Sequence, residues 1–327
     1  MILAGDIGGT NTRLALVDPS AGGMRIVFQR TYPSRERASL EDALTEFLSL
    51  RGAAFTRASF GIAGPVRDGR CEATNLPWVV DARSVAQRLR LKRVGLMNDL
   101  VANAHGTSLL RARDVVTLNR GARGALGNRA LISAGTGLGE AGLLWDGRSH
   151  RPFASEGGHA DFAPRNRLEM ELLDYLMSRH GRVSTERIVS GPGLVNAYRF
   201  FRDRGKGKEP PWLAEELRVG DPAAVISRRA LDGKSPLCVQ ALDLFASVYG
   251  AAAGNLALAV MATGGVYLGG GIAPKLVSKL KEPAFMNAFT AKGRMSPLLR
   301  EIPVRVIMNP KTALLGAARH AALGLTH

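Results

Sequence analysis

Cysteine, aromatic residues and clustered charge are all scarce in this 327-residue sequence. Its two cysteines, Cys71 and Cys238, lie far apart and form no CxxC pair, which argues against a disulfide framework and against a thiolate zinc site. Aromatic residues make up only 6% of the chain, which is low for a protein that stacks the bases of nucleic acids. Such cysteine usage is typical of a reducing compartment, so the sequence predicts a cytoplasmic protein.

The formal net charge of +16 is large, but the basic residues are dispersed along the chain. No block of five like charges occurs, whereas proteins that bind nucleic acid usually concentrate Lys and Arg on one face or in a recognisable module. The sequence therefore predicts no nucleic-acid partner. The excess of positive charge would still attract anionic substrates such as nucleotides.

One apolar stretch is long enough to span a membrane. Residues 244–274 contain no charged side chain, and their length alone is compatible with a transmembrane helix. Glycines interrupt the second half of this stretch on both sides of a strand-like Val266–Leu268, so we expect a buried helix followed by a buried strand. The first residues lack the basic and apolar regions of a signal peptide. We therefore expect neither a membrane partner nor a cleaved leader.

Two glycine-rich turns between apolar runs are the most distinctive feature of the sequence. The first, Asp6-Ile-Gly-Gly-Thr-Asn11, is followed by residues that alternate with period two, which predicts a β-hairpin rather than the strand-to-helix turn of a dinucleotide site. The second is Gly135-Thr-Gly-Leu-Gly139. The backbone N–H groups of such turns can bind phosphate, although many glycine-rich turns are only turns. Asp6 could hold a hydrated magnesium ion beside the first turn. The matched pair suggests two similar halves that face each other across a cleft.

Strand and helix patterns alternate along the rest of the chain, which predicts an α/β fold with a partly parallel sheet. Asn98 and Asp99 follow a predicted strand, where ligands of α/β sheets gather, but the pair could equally cap the next helix. Glu156 and His159 are separated by two glycines and could point into one pocket, although a lone loop histidine is more often structural. Glu186 could be a helix-surface charge. Residues 210–220 are predicted to form an exposed linker.

Taken in order, these motifs form a pattern that resembles the bacterial ATP-dependent glucokinases of the sugar kinase, Hsp70 and actin superfamily. The resemblance covers essentially the whole chain and rests on Asp6–Asn11, Thr74-Asn75, Asn98-Asp99, Gly135–Gly139, Glu156–His159, Ser190–Gly193 and Leu268–Ile272. It implies an α/β fold with two ribonuclease-H-like (actin-like ATPase) domains flanking a cleft. The implied small domain comprises residues 1–109 and 312–327, and the large domain comprises residues 110–311.

The resemblance also implies an activity and a set of site residues. The activity is ATP-dependent phosphorylation of D-glucose to glucose 6-phosphate, the first step of glycolysis, with Asp99 as the general base. The implied sugar-binding residues are Asn75, Asn98, Asp99, Glu156, His159 and Glu186. The implied ATP-binding residues are Asp6, Gly8, Gly9, Thr10, Asn11, Gly135, Thr136, Gly137, Leu138, Gly269, Gly270 and Gly271, with Mg²⁺ held by Asp6 through water.

Several alternatives remain open at the level of sequence. The sugar could be another hexose such as mannose or an N-acetylhexosamine, or the chain could be a sugar-sensing protein without turnover. A homodimer is expected. Related repressor and kinase proteins carry a cysteine-rich zinc motif, whereas this chain reads Ala160-Asp-Phe-Ala-Pro164 after His159. We therefore expect no structural zinc and, without a helix-turn-helix pattern, no repressor function.

Overall fold

The computed structural model describes residues 1–20, 23–50, 54–205 and 207–324, and these divide into two compact units. The first unit comprises Met1–Asp114, Ser149–Ala154 and the C-terminal segment from Asn309. The second comprises Val115–Arg148 and Ser155–Met308. The predicted functional domains, 1–109 with 312–327 and 110–311, stay a prediction. Residues 325–327, which belong to the predicted small domain, lie outside the described residues.

The described residues form fourteen strands. They are β1 (Ile2–Ile7), β2 (Asn11–Asp18), β3 (Arg25–Pro33), β4 (Arg57–Ile62), β5 (Val66–Arg67), β6 (Arg70–Glu72), β7 (Val79–Asp81), β8 (Gly95–Asn98), β9 (Val115–Asn119), β10 (Arg129–Ala134), β11 (Leu138–Trp145), β12 (His150–Ser155), β13 (Gly265–Gly269) and β14 (Val304–Ile307). Both predicted hairpins are confirmed, since β1 pairs antiparallel with β2 and β10 pairs antiparallel with β11.

The helices of the described residues are α1 (Leu40–Leu50), α2 (Ala82–Leu89), α3 (Asp99–Thr107), α4 (Arg167–His180), α5 (Gly191–Asp203), α6 (Pro211–Val219), α7 (Pro222–Leu231), α8 (Pro236–Ala259), α9 (Val277–Leu280), α10 (Pro283–Thr290), α11 (Ser296–Glu301) and α12 (Thr312–Ala322). Polar residues cap several of their N-termini. Asp81, for example, accepts the N–H groups of Arg83 and Ser84 at 2.9 Å.

In the first unit, a five-stranded sheet has the order β3-β2-β1-β4-β8. The strands β1, β4 and β8 are parallel, so their carboxyl ends lie along one edge. Successive side chains of a strand point to opposite faces. One face packs on α12, where Ala4 and Ala15 meet Leu314 and Ala317. The other face carries Leu3, Leu14 and Phe60 in the larger core of the unit.

In the second unit, five strands lie in the order β11-β10-β13-β14-β9. The long helix α8 is part of the core, with Phe245, Tyr249 and Ala253 fully buried. It is the one described helix that is long and apolar enough to cross a membrane, and 78% of its most apolar window is buried within the protein. The prediction of a buried core helix for this stretch is confirmed.

The prediction of an exposed linker at residues 210–220 is wrong. Residues 210–220 were expected to form an exposed linker, but Pro211–Val219 is the helix α6, and Leu213 is fully buried. Pro211 stands in the first turn, where a proline costs no hydrogen bond and its fixed φ favours the helix. The adjacent prolines 210 and 211 thus begin a helix instead of breaking one.

Candidate active site

The turn between β1 and β2 is a rigid loop of the first unit. The Gly8 N–H donates to the Asn11 carbonyl at 3.0 Å, which closes the turn. Below it, the Ser34 hydroxyl donates to the Gly8 carbonyl at 2.7 Å and lies 2.9 Å from the Thr12 hydroxyl. These bonds hold the backbone of the turn in place, as a preorganised anion-binding loop requires.

Two predicted site residues lie beside this turn. A Cβ added to Gly9 would lie 2.7 Å from the Cβ of Asn75, so the asparagine packs directly against the glycine. Asp6, at the end of β1, accepts a hydrogen bond at Oδ2 from Arg13 Nη1 at 2.9 Å. Burial raises the pKa of Asp6, and the Arg13 guanidinium opposes that rise.

Asn98 and Asp99 lie at the same edge of the sheet as Asp6. Gly61 of β4 pairs with Asp6 on one side, and a Cβ added to Gly61 would lie 3.7 Å from the Cα of Asp99 on the other. Asp99 is the first residue of α3 and directly follows β8, the strand that pairs with β4 on the side away from β1. The parallel strand ends thus bring together residues distant in sequence.

The side chain of Asn98 does act as a helix cap. Its Oδ1 accepts the Leu100 N–H at 2.8 Å, and its Nδ2 donates to the Gly64 carbonyl at 3.2 Å. Asp99 Oδ1 accepts the same Leu100 N–H at 2.9 Å. Capping, one of the two hypotheses for this pair, is therefore realised at Asn98, and its role toward a sugar stays a prediction.

The second glycine turn is shorter than predicted, because Leu138 already belongs to β11. The Gly135 N–H donates to the Gly137 carbonyl at 2.8 Å. The Gly191 N–H, at the start of α5, donates to the Gly135 carbonyl at 2.8 Å. The Ser190–Gly193 motif thus places a helix N-terminus beside the turn, where the helix dipole favours a bound anion.

At two positions of this region, neither the backbone conformation nor the packing of the protein requires glycine. At Gly135 and Gly271 the φ angle is not positive, and an added Cβ would meet no other atom within 4 Å. Gly270 differs, because its φ of +80° and its contact with the Ala134 carbonyl both require glycine. The open space at Gly135 and Gly271 is available for close approach of a ligand.

The second unit also brings together three of the six predicted sugar-binding residues. His159 Nε2 lies 3.9 Å from Glu156 Oε2, and His159 Nδ1 lies 3.9 Å from Glu186 Oε1. Glu186 Oε2 accepts the Leu138 N–H at 2.8 Å. Glu186 is therefore not a solvated surface charge, since it links His159 to Leu138, the residue that directly follows the second glycine turn.

Glu140 is a further acidic residue of this region that the sequence analysis missed. It lies on β11 with 8% of its surface exposed, and its carboxylate packs against Gly157 of the Glu156–His159 loop. Burial raises the pKa of Glu140 to about 7. A single acid within an otherwise apolar strand was the signal that could have identified it.

Replacing Glu140 by Gln should reduce the loss of stability as pH rises. Because the pKa is raised in the folded state, Glu140 contributes stability below about pH 4.5, and this contribution is lost as pH rises through about 7. The difference is on the order of 3 kcal/mol. Urea unfolding of parent and variant at pH 5 and pH 8 should show the variant's relative gain at pH 8. The exposed Glu301→Gln should not change the pH dependence, and equal pH profiles for all three proteins would contradict this prediction.

Comparison with known proteins identifies the family. A family model described as Glucokinase matches residues 3–323. The chain belongs to the glucokinase family. It is 42% identical to the glucokinase of Nostoc sp., with 98% of this chain and 99% of that protein covered, and 42% identical to that of Synechocystis sp., with coverages of 98% and 97%. The crystal structure of a glucokinase from an Antarctic psychrotroph is similar with a TM-score of 0.85 at 33% identity, covering 98% of both chains.

Membership of the glucokinase family confirms the predictions of family, fold class and enzyme class. The predicted function, ATP-dependent phosphorylation of glucose, is likewise supported by the glucokinases that the chain resembles. The roles of the individual site residues stay predictions.

Proposed function

We propose that the chain transfers the γ-phosphoryl group of ATP to the 6-hydroxyl of D-glucose. One observation carries this proposal furthest. One carboxylate oxygen of Glu186 accepts the N–H of Leu138, which directly follows the second glycine turn, and the other lies 3.9 Å from His159 Nδ1. Groups suited to sugar hydroxyls thus lie next to a turn suited to phosphates, which is the juxtaposition that a sugar kinase requires.

Phosphoryl transfer depends on positioning and charge neutralisation more than on covalent chemistry by the protein. In the proposed reaction, residues 8–11 and 135–138 bind the phosphates through backbone N–H groups other than those of Gly8, Gly135 and Leu138, which donate within the protein. Gly269–Gly271 lies against the adenosine. Asp99 accepts the proton of the attacking hydroxyl. A carboxylate in this role typically contributes 10²–10⁴-fold to the rate.

The residues beside the first turn fit a magnesium ion that accompanies the phosphates. Arg13 bonds to Oδ2 of Asp6, so Oδ1 is the oxygen that would contact the ion through water. The described part of the chain contains no group of three or more His, Cys, Asp or Glu residues that could form a protein-only cage. Mg²⁺ bound with a nucleotide needs only one or two carboxylates, because phosphates and water supply its other ligands. Bound there, it would neutralise charge on the phosphates.

Sugar selectivity is expected to follow from hydrogen-bond pairing. Carboxylates accept hydrogen bonds from hydroxyl groups, whereas an amide and an imidazole can donate as well as accept. A sugar that lacks or misdirects one hydroxyl leaves such a group unpaired, which is costly in a closed site. We assign glucose binding to Asn75, Asn98, Asp99, Glu156, His159 and Glu186.

A sugar panel tests this function directly. Coupled detection of ADP release should give the highest kcat/KM with D-glucose, lower values with mannose and N-acetylglucosamine, and no release without Mg²⁺. A higher kcat/KM with another hexose would reassign the substrate. Binding of glucose without ADP release would instead identify a sugar-sensing protein.

Replacing Gly135 by Ala should raise the KM for ATP about tenfold or more, because the new methyl group would enter the space assigned to a phosphate. The melting temperature should not change, since that space is empty of protein atoms. Gly23→Ala is the matched control, since φ at Gly23 is also not positive and the nearest atom to an added Cβ is 3.9 Å away. An unchanged KM for ATP, or a loss of stability, would contradict the assignment of Gly135.

We further propose a cytoplasmic homodimer without nucleic-acid or membrane partners, with residues 1–109 and 312–327 as the small domain and 110–311 as the large one. The family resemblance supports the dimer and the domain bounds. The dispersed charge argues against a nucleic-acid partner, the few cysteines support a cytoplasmic location, and the burial of α8 argues against a membrane partner. Sedimentation equilibrium at micromolar concentration would give the oligomeric state, and a monomer mass would refute the proposed homodimer.

A further inference from the structure

The second unit contains a cavity of about 470 Å³ at the opposite end of its sheet from the glycine turn. It is lined by the loop 120–125 and by Arg129, Tyr267 and Arg305. Arg129 is the first residue of β10, whereas Gly135 follows the last. A strand rises about 3.3 Å per residue, which separates the two places by roughly 15–20 Å.

Four arginines give this cavity its chemistry: Arg120, Arg123, Arg129 and Arg305. No Asp or Glu lines it. Other arginines of the unit pair with carboxylates, as Arg165 does with Glu169. Within the ranges that the structure describes, none of the four cavity arginines forms such an ion pair. The cavity therefore concentrates positive charge that the protein does not neutralise.

Two of these guanidinium groups are held in fixed positions. The Cζ atoms of Arg129 and Arg305 lie 5.8 Å and 5.9 Å from the centre of the buried Tyr267 ring, and cation–π attraction holds them there. Arg129 Nε is buried and has no hydrogen-bond partner. A buried donor without a partner is costly, so the site gains from an external acceptor.

The other two arginines lie on a loop that is anchored to the same unit. The Ala122 N–H donates to the Glu301 carbonyl at 2.7 Å, and Gly121 and Gly124 take positive φ angles of +64° and +70°. The loop thus places Arg120 and Arg123, both exposed, at the rim. Fixed guanidiniums in the cavity and exposed ones at its rim suit a ligand with more than one anionic group.

We propose that this arginine pocket (Arg120, Arg123, Arg129, Arg305 and Tyr267) binds a small phosphorylated molecule with two or more negative charges, at a site separate from the catalytic phosphate turns. Guanidinium groups bind phosphate oxygens in pairs, with a geometry that ammonium groups do not match. The volume is that of a small-molecule site, which favours a metabolite over a nucleic-acid strand.

Calorimetric titration with inorganic pyrophosphate tests the proposal. The protein is first saturated with glucose and a non-hydrolysable ATP analogue, so that the catalytic phosphate turns are occupied. The parent should then bind one pyrophosphate, and Arg129→Gln/Arg305→Gln should weaken that binding at least tenfold. Arg218→Gln, an exposed arginine of the same unit, should bind as the parent does. In the absence of pyrophosphate, the melting temperature and kcat should be unchanged in Arg129→Gln/Arg305→Gln and in Arg218→Gln.

The pair Arg120→Gln/Arg123→Gln provides a second measurement, because these rim residues are exposed and their loss should not disturb folding. This double variant should bind pyrophosphate several-fold more weakly than the parent does. The proposal is overturned if the parent binds no pyrophosphate, if both double variants bind it like the parent, or if a single-stranded oligonucleotide binds at these arginines while pyrophosphate does not.

Discussion

Replacing Asp99 by Asn should lower kcat by roughly 10²–10⁴-fold, because the amide cannot accept the proton of the attacking hydroxyl. The fold should persist. Asp99 Oδ1 accepts the Leu100 N–H at the start of α3, and an Asn side chain offers the same carbonyl acceptor. Glucose affinity should change much less than kcat, because the amide still pairs with a hydroxyl. Steady-state rates of ADP release, together with calorimetric glucose binding, measure the two effects separately.

Asp81→Asn is the matched control for this prediction. Asp81 is also a first-unit aspartate at a helix start, where it accepts the N–H groups of Arg83 and Ser84. Asn is as good an N-cap as Asp, so the variant should keep the stability and the turnover of the parent. Near-normal turnover in the Asp99 variant would remove that residue from its assigned role, whatever the control does.

Gly316→Val should prevent stable folding of the first unit. The helices α3 and α12 pack backbone to backbone at this point. A Cβ on Gly316 would overlap the Ala102 carbonyl and lie 2.6 Å from the Gly106 nitrogen. A Cβ on Gly106 would likewise overlap the Thr312 carbonyl. Neither backbone can move without displacing a buried helix, so we expect a loss of more than about 4 kcal/mol, which marks the most severe class of substitution.

The measurements are the yield of soluble protein and the melting temperature. Ala313→Val, at a half-buried position of the same helix, adds similar bulk and β-branching without a backbone contact of this kind. The control should shift the melting temperature by a few degrees, whereas the Gly316 variant should shift it by about 10 °C or more, or fail to accumulate. Equal behaviour of the two variants would show that the close contact of α3 and α12 can be relieved.

Local sequence patterns were sufficient for the elements that the chain encodes over short distances. The turn at Gly8–Asn11 and the hairpin around it follow from glycines next to period-two alternation. The cap at Asp81 is likewise local, because its side chain accepts the N–H groups two and three positions ahead. In each case the decisive interactions join residues within a few positions of one another, so the sequence alone contained the information.

Prediction from sequence failed where a residue is compatible with two local structures or roles. Pro210 and Pro211 were interpreted as part of a linker, although proline in a first helical turn is favoured and α6 begins there. Only the burial of Leu213 against the rest of the unit decides between the two. Asn98 is similar, since both its capping and its ligand-binding hypotheses were compatible with the sequence.

The order of the motifs along the chain determined the family, and the two glycine turns determined where phosphates were expected. Tertiary packing alone decided the rest: that Glu186 joins His159 to the Leu138 N–H, that Glu140 is buried enough to raise its pKa, and that four arginines share one cavity. The physical reason is common to all three. Electrostatic pairing and desolvation depend on distance and burial, which residues far apart in the chain acquire only when the sheets and helices pack together.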